Sequence, residues 1–168
     1  MSNVNEFKMR RPQNKKACHY ATPSNRYNSK VTIIPVEIVE LEDSSYHMIV
    51  KVEIDGVQGD MIIDTGASVT VVDQHIFPDK ENDESTVKMQ SGSVTGQIND
   101  VRLIKAEHFK IGGRKIRNFR LAGIDLDYVN GMYNKHLKRK IIGLLGCDFC
   151  VRYGVIINYR SKELSMNL

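Results

Sequence analysis

Met61-Ile62-Ile63-Asp64-Thr65-Gly66-Ala67-Ser68 is the stretch on which the reading of this chain turns. An apolar run delivers one carboxylate into a Thr-Gly turn, and small residues follow. Val69-Thr70-Val71-Val72 then resumes an extended, β-branched run. Such a pattern holds a carboxylate at the end of a buried strand. Gly66 allows close backbone approach or a positive φ. Thr65 offers a hydroxyl that can lock the turn to a neighbour, and Ala67 and Ser68 leave room for an approaching group.

Working outward, Val57 to Ile63 reads as the second arm of a hairpin. Its first arm is Tyr46 to Ile54, where Tyr46, Met48, Val50, Val52 and Ile54 share a face. Asp55-Gly56 between them is a strong hairpin turn. Further upstream, Val31 to Ile34 and Val36 to Leu41 read as strand, and Pro35 implies an edge position or a bulge. Downstream, Asp73 is expected to cap a short helical turn that ends near Pro78. Residues 79–85 form a charged loop. Two arms, Thr86 to Gln90 and Gln97 to Ile104, flank the small-residue tip Ser91-Gly92-Ser93-Val94-Thr95-Gly96. Leu103 to Ile111 and Lys115 to Leu121 make another hairpin around Gly112-Gly113. Residues 125–140 are less regular, broken at Asn130-Gly131. Ile141-Ile142-Gly143 is an apolar strand, and Asp148 is expected to cap a short helix ended by Gly154. A last hairpin turns at Arg160-Ser161-Lys162. Turn signals at short intervals predict a mainly β chain with a closed or sandwich-like fold.

A chain of 168 residues suggests one domain. The net charge of +4 is carried by a polar tail over residues 1–30, where seven basic residues face Glu6 alone. The remainder, residues 31–168, is slightly acidic, so the total charge is no argument for nucleic-acid binding. No apolar run reaches the roughly 18 residues of a membrane span. No leader pattern is seen at the start. Three cysteines do not make a disulfide framework, and a reduced, cytoplasmic protein is expected.

The two segments together, Asp64-Thr65-Gly66-Ala67-Ser68 and Ile141-Ile142-Gly143-Leu144-Leu145-Gly146-Cys147-Asp148-Phe149, resemble the retropepsin-like aspartic proteases over roughly residues 31–168. The resemblance implies a closed, β-barrel-like acid-protease fold, one lobe per chain, with one short helix near the C-terminus. It implies Asp64 as the catalytic carboxylate, with Thr65 bracing two loops. Gly66, Ala67 and Ser68 support or line the site, and Ile142 and Gly143 pack beneath the catalytic loop. A flap over about residues 87–101, with Ser91, Gly92, Ser93, Val94, Thr95 and Gly96 at its tip, would contact substrate.

Peptide hydrolysis needs a base for water and an acid for the leaving nitrogen. Only one Asp-Thr-Gly is present. The expectation is a homodimer with Asp64 from each chain on a two-fold axis, acting on an extended peptide or unfolded protein. No metal or organic cofactor is expected, since water is the nucleophile. Two other readings share the fold: a non-catalytic dimerisation or peptide-binding module, and a latent protease held inactive by residues 1–30. His47, His75, His108 and His136 show no ligand spacing, and no nucleophile turn of the Gly-x-Ser-x-Gly kind occurs. Cys147-x-x-Cys150 can mark a redox or metal pair, but no second ligand pair accompanies it. Buried helix cysteines are the reading it favours.

Overall fold

The structure is a computed structural model that describes residues 31–77, 92–93, 96–97 and 101–167. The tail over residues 1–30 and most of the expected flap lie outside the described residues.

In chain order the strands are β1 (Val31–Pro35), β2 (Glu37–Glu42), β3 (Ser45–Ile54), β4 (Val57–Ile63) and β5 (Val71–Asp73). The short pair β6 (Gly92–Ser93) and β7 (Gly96–Gln97) is followed by β8 (Arg102–Ile111) and β9 (Arg114–Ile124). Helix α1 (Asp127–Leu137), β10 (Ile141–Leu145), helix α2 (Cys147–Arg152), β11 (Ile156–Asn158) and β12 (Glu163–Asn167) complete the chain. Seven strands form one sheet in the order β2-β3-β4-β10-β5-β9-β8. An added β3–β8 pairing, Val52 to Ile111 through Ile54 to Phe109, closes six of them into a barrel with β2 appended outside.

The hairpins form where their turn chemistry places them. Asp55 and Gly56 both take positive φ, which supplies the tight turn between β3 and β4. Gly112 and Gly113 do the same between β8 and β9. Alternation drives the inward face of β3, where Met48, Val50, Val52 and Ile54 are buried. Tyr46 departs from that set and is 61% exposed, because at the start of β3 the barrel wall ends. Pro35 falls in β1, an edge strand of the small sheet β1-β12-β11, where its missing N–H costs no ladder bond.

The barrel is filled by one large apolar cluster. Phe109, Phe119 and Phe149 meet with ring centroids 5.2 to 5.8 Å apart, and the tilted Tyr153 ring lies 4.7 Å from Phe149. This aromatic group pins α2 against the inner face of β8 and β9. A smaller cluster of Val39, Leu41, Ile49, Ile62, Tyr133 and Ile141 seats α1 on the outside.

Three local expectations are corrected. Residues 127–137 are helical, so the chain has a second short helix where the sequence reads as irregular. The Asn130 amide explains it: its Nδ2 donates to the Ile141 carbonyl (3.1 Å) and its Oδ1 accepts the Ile141 N–H (2.7 Å). Asn130 therefore acts as a surrogate peptide beside β10, a tertiary role that offsets its poor helix propensity. Asp73 ends β5 instead of capping a helix, although its carboxylate accepts the His75 N–H at 3.0 Å as a turn-forming Asx residue does. Gly146, and not Asp148, is the residue before α2; Asp148 lies in the first turn.

Candidate active site

The catalytic-loop candidate spans the gap between β4 and β5, and these two strands do not pair. β10 lies between them, parallel to β4 and antiparallel to β5. Residues 64–70 must therefore arch over the C-terminal end of β10. Leu145 is in register with Ile63, and the Asp64 N–H continues the ladder by donating to the Leu145 carbonyl at 3.0 Å. The carboxylate thus sits on the last rung of a buried strand and not on a free loop.

The loop is tied to itself and to what lies beneath it. Asp64 Oδ1 accepts the Gly66 N–H at 2.9 Å, and its carbonyl accepts the Ala67 N–H at 3.2 Å. The Ala67 carbonyl accepts the Cys147 N–H at 2.8 Å. The Cys147 thiol donates to the Thr65 carbonyl, with Sγ 3.1 Å from the oxygen. At the far end of the loop, Thr70 is 1% exposed. Its hydroxyl donates to Asp148 Oδ1 (2.7 Å) and accepts the Gly146 N–H (3.1 Å). Gly66 is outside the positive-φ region; its role is close approach, since a Cβ there would lie 3.2 Å from Asp64 Oδ1.

Asp64 and Ala67 are half-buried, whereas Thr65, Gly66 and Ser68 are exposed. One carboxylate is thus presented at an open rim among small side chains. Ile142 is buried with its side chain against Gly59, at an irregularity in the β4–β10 register. Gly143 is wedged between the Val71 carbonyl and Met61. The residues directly under Asp64, Thr65 and Ala67 are Leu145, Gly146 and Cys147. None of these three stands out as a site residue in the sequence, nor do Thr70 and Asp148. The run Leu144-Leu145-Gly146 at the end of β10 carries the signal, being a second apolar-apolar-Gly beside Ile141-Ile142-Gly143.

A groove of about 640 Å³ opens beside Asp64 and Thr65. β2 and β3 contribute Ile38, His47 and Met48 to its wall, and α1 contributes Val129, Met132 and Tyr133. His47 Nδ1 lies 2.7 Å from the Tyr133 hydroxyl, which joins the two walls. Burial pushes the Tyr133 phenol up to about 12 against the opposing pull of the Arg139 guanidinium. A mostly apolar lining with a few polar groups suits a bound side chain.

Within the interval of the expected flap, Gly92 pairs antiparallel with Gln97 and Ser93 with Gly96. Ser91, Val94 and Thr95 lie outside the described residues. One group could approach metal-ligand geometry among the described residues: His75, Asp125 and Asp127, whose ligand atoms lie within 4.8 Å of one another, all exposed. It stands at the ends of β5 and β9 that lead away from the catalytic loop. Its contacts are local ones, a 3.6 Å His75–Asp125 ion pair and the Asp127 N–H on Asp125 Oδ1 at 2.7 Å. No described helix is long and apolar enough to cross a membrane.

Comparison with known proteins agrees with this geometry. A family profile described as aspartyl protease matches residues 50–149, from the middle of β3 into α2. A crystal structure of a retropepsin-like aspartic protease from Rickettsia conorii superposes with a TM-score of 0.51 at 20% identity, covering 82% of this chain and 90% of that one. The retroviral protease-like domain of Ddi1 from Leishmania major gives a TM-score of 0.47 at 15% identity over 71% of this chain and 89% of that one. No curated protein sequence matches. With the profile spanning both the carboxylate loop and the strand threaded beneath it, the chain belongs to the aspartyl protease family and has a retropepsin-like fold.

Proposed function

We propose that this chain is an aspartic endopeptidase that works as a homodimer, with one Asp64 from each copy forming the catalytic dyad. The observation that carries the reading is the single Asp64 residue, its backbone N–H held by the Leu145 carbonyl and its carboxylate by the Gly66 N–H, yet half-exposed at an open rim. A second carboxylate is required for acid–base work, and a two-fold copy supplies it.

Two carboxylates a few ångströms apart cannot both ionise cheaply, so they share a proton and titrate as a pair. This is the known behaviour of aspartic protease dyads, carried to this chain. The ionised Asp64 takes a proton from water as the water oxygen attacks the peptide carbonyl carbon. The protonated Asp64 of the other copy gives its proton to the carbonyl oxygen. Proton transfer to the nitrogen then lets the C–N bond break. Thr65, exposed beside Asp64, would brace the two loops through its hydroxyl, and Gly66, Ala67 and Ser68 leave the space between the copies clear. The residues around Gly92 to Gly96 would cover the substrate backbone. An extended peptide would place an apolar side chain in the groove walled by Met48, Val129 and Met132.

The test is cleavage of an unfolded protein at mildly acidic pH across a dilution series, beside Asp64→Asn. Activity per chain is expected to fall on dilution and to vanish in the variant. Asn retains an oxygen for the Gly66 N–H, so the fold is expected to survive. Cleavage that persists in Asp64→Asn would overturn the dyad; a dimer with no cleavage by either form would favour a peptide-binding module.

A further inference from the structure

Cys147 and Cys150 are both only half-buried, so they are not the inert core cysteines that the sequence favours. Three residues apart on α2, their Cβ atoms stand about 5–6 Å from each other. A disulfide needs about 3.8 Å, which a modest tightening of this turn provides. The Cys147 sulfur also holds a position of consequence. Its thiol proton is donated to the carbonyl of Thr65, the residue next to Asp64.

We propose that Cys147 and Cys150 close a reversible disulfide that switches the catalytic loop between a braced and a released state. The inference rests on the protease reading for its effect on activity, but not for its chemistry. A disulfide sulfur carries no proton. Oxidation therefore removes the donor to Thr65 whatever the final geometry, and tightening the turn also strains the Cys147 N–H bond to Ala67.

The oxidant is a peroxide. The Cys147 thiolate attacks one peroxide oxygen, the O–O bond breaks, and the departing hydroxide takes up a proton to leave as water. The Cys150 sulfur then attacks the resulting sulfenic sulfur, the S–O bond breaks, and a second water leaves. Two thiols have lost two electrons and two protons, and one peroxide has become two waters. Burial, then the neighbouring Cys147 sulfur and Asp148, push the Cys150 thiol up, which disfavours Cys150 as the first sulfur to attack peroxide. A dithiol reductant restores both thiols by exchange. Transient disulfides of this kind are compatible with a reducing compartment.

The test uses the full chain carrying Cys18→Ser, which removes the remaining cysteine. Peroxide is expected to lower the intact mass by about 2 Da, with peptide mapping assigning the bond to Cys147 and Cys150. Amide exchange across residues 64–70 should rise, and cleavage should fall about fivefold, the effect of one ordinary hydrogen bond. Dithiothreitol should reverse all three. In Cys150→Ser the mass loss of about 2 Da should disappear and a gain of oxygen on Cys147 should replace it. The proposal is overturned if the folded protein does not form the bond, or forms it with exchange and cleavage unchanged. If the bond forms and exchange rises but the reduced protein cleaves nothing, the switch stands and the protease reading falls.

Discussion

Gly146→Ala is the most exacting test of how β10 and α2 sit under the catalytic loop. Gly146 has φ −88° and ψ 179°, a conformation open to any residue, so alanine meets no backbone objection. The objection is space. A Cβ at Gly146 would lie 2.5 Å from the carbonyl carbon and oxygen of Val69 and 2.8 Å from the Thr70 nitrogen. These are backbone atoms of the strand-entry segment and cannot swing aside as a side-chain tip can. Overpacking ordinarily costs about 1–3 kcal/mol, and a contact against backbone belongs near about 3 kcal/mol. At a urea dependence of about 2 kcal/mol per molar, the unfolding midpoint should drop by about 1.5 M. Cleavage should fall with it, because the displaced segment begins at Asp64. Gly131→Ala is the opposite-signed control: nothing lies within 4 Å of its added Cβ, and it sits inside α1. Alanine there should stabilise by up to about 1 kcal/mol. Urea titrations followed by circular dichroism, at one fixed protein concentration, read both. If Gly146→Ala unfolds at the wild-type midpoint with full activity, the close threading of β10 beneath residues 67–70 is refuted.

Two further outcomes follow from the same framework. Thr70→Val keeps the side-chain shape but leaves Asp148 Oδ1 with the Phe149 N–H and no hydroxyl donor, and the Gly146 N–H without its acceptor; unfolding free energy should fall by about 2–3 kcal/mol, and a loss under about 0.5 kcal/mol would contradict the bridge. Tyr133 holds its proton more tightly folded than unfolded, its phenol being pushed up to about 12, so it binds more protons in the native state between pH 10 and 12. Stability should therefore drop as pH rises through that window, by on the order of 2 kcal/mol at its end, and Tyr133→Phe should flatten the drop.

The sequence by itself determined what depends on neighbours along the chain. The β3–β4 turn at Asp55-Gly56 and the β8–β9 turn at Gly112-Gly113 are legible because positive φ is a local demand that few residue types meet. Asp64 at the end of an apolar strand, with small residues after it, is legible for the same reason: strand, turn and carboxylate are contiguous. What surrounds Asp64 was decided by tertiary structure. That β10 lies between β4 and β5, with Leu145, Gly146 and Cys147 under the loop, depends on pairings between segments far apart in the chain. Which of two successive apolar-apolar-Gly runs lies beneath the carboxylate is a matter of register, and a shift of a few residues leaves the local pattern looking the same. Helix α1 was hidden because Asn130 and Gly131 are poor helix residues. The Asn130 bonds to the Ile141 backbone that compensate exist only once β10 is in place. Cys147 reads as an inert thiol until the fold sets its sulfur against Thr65.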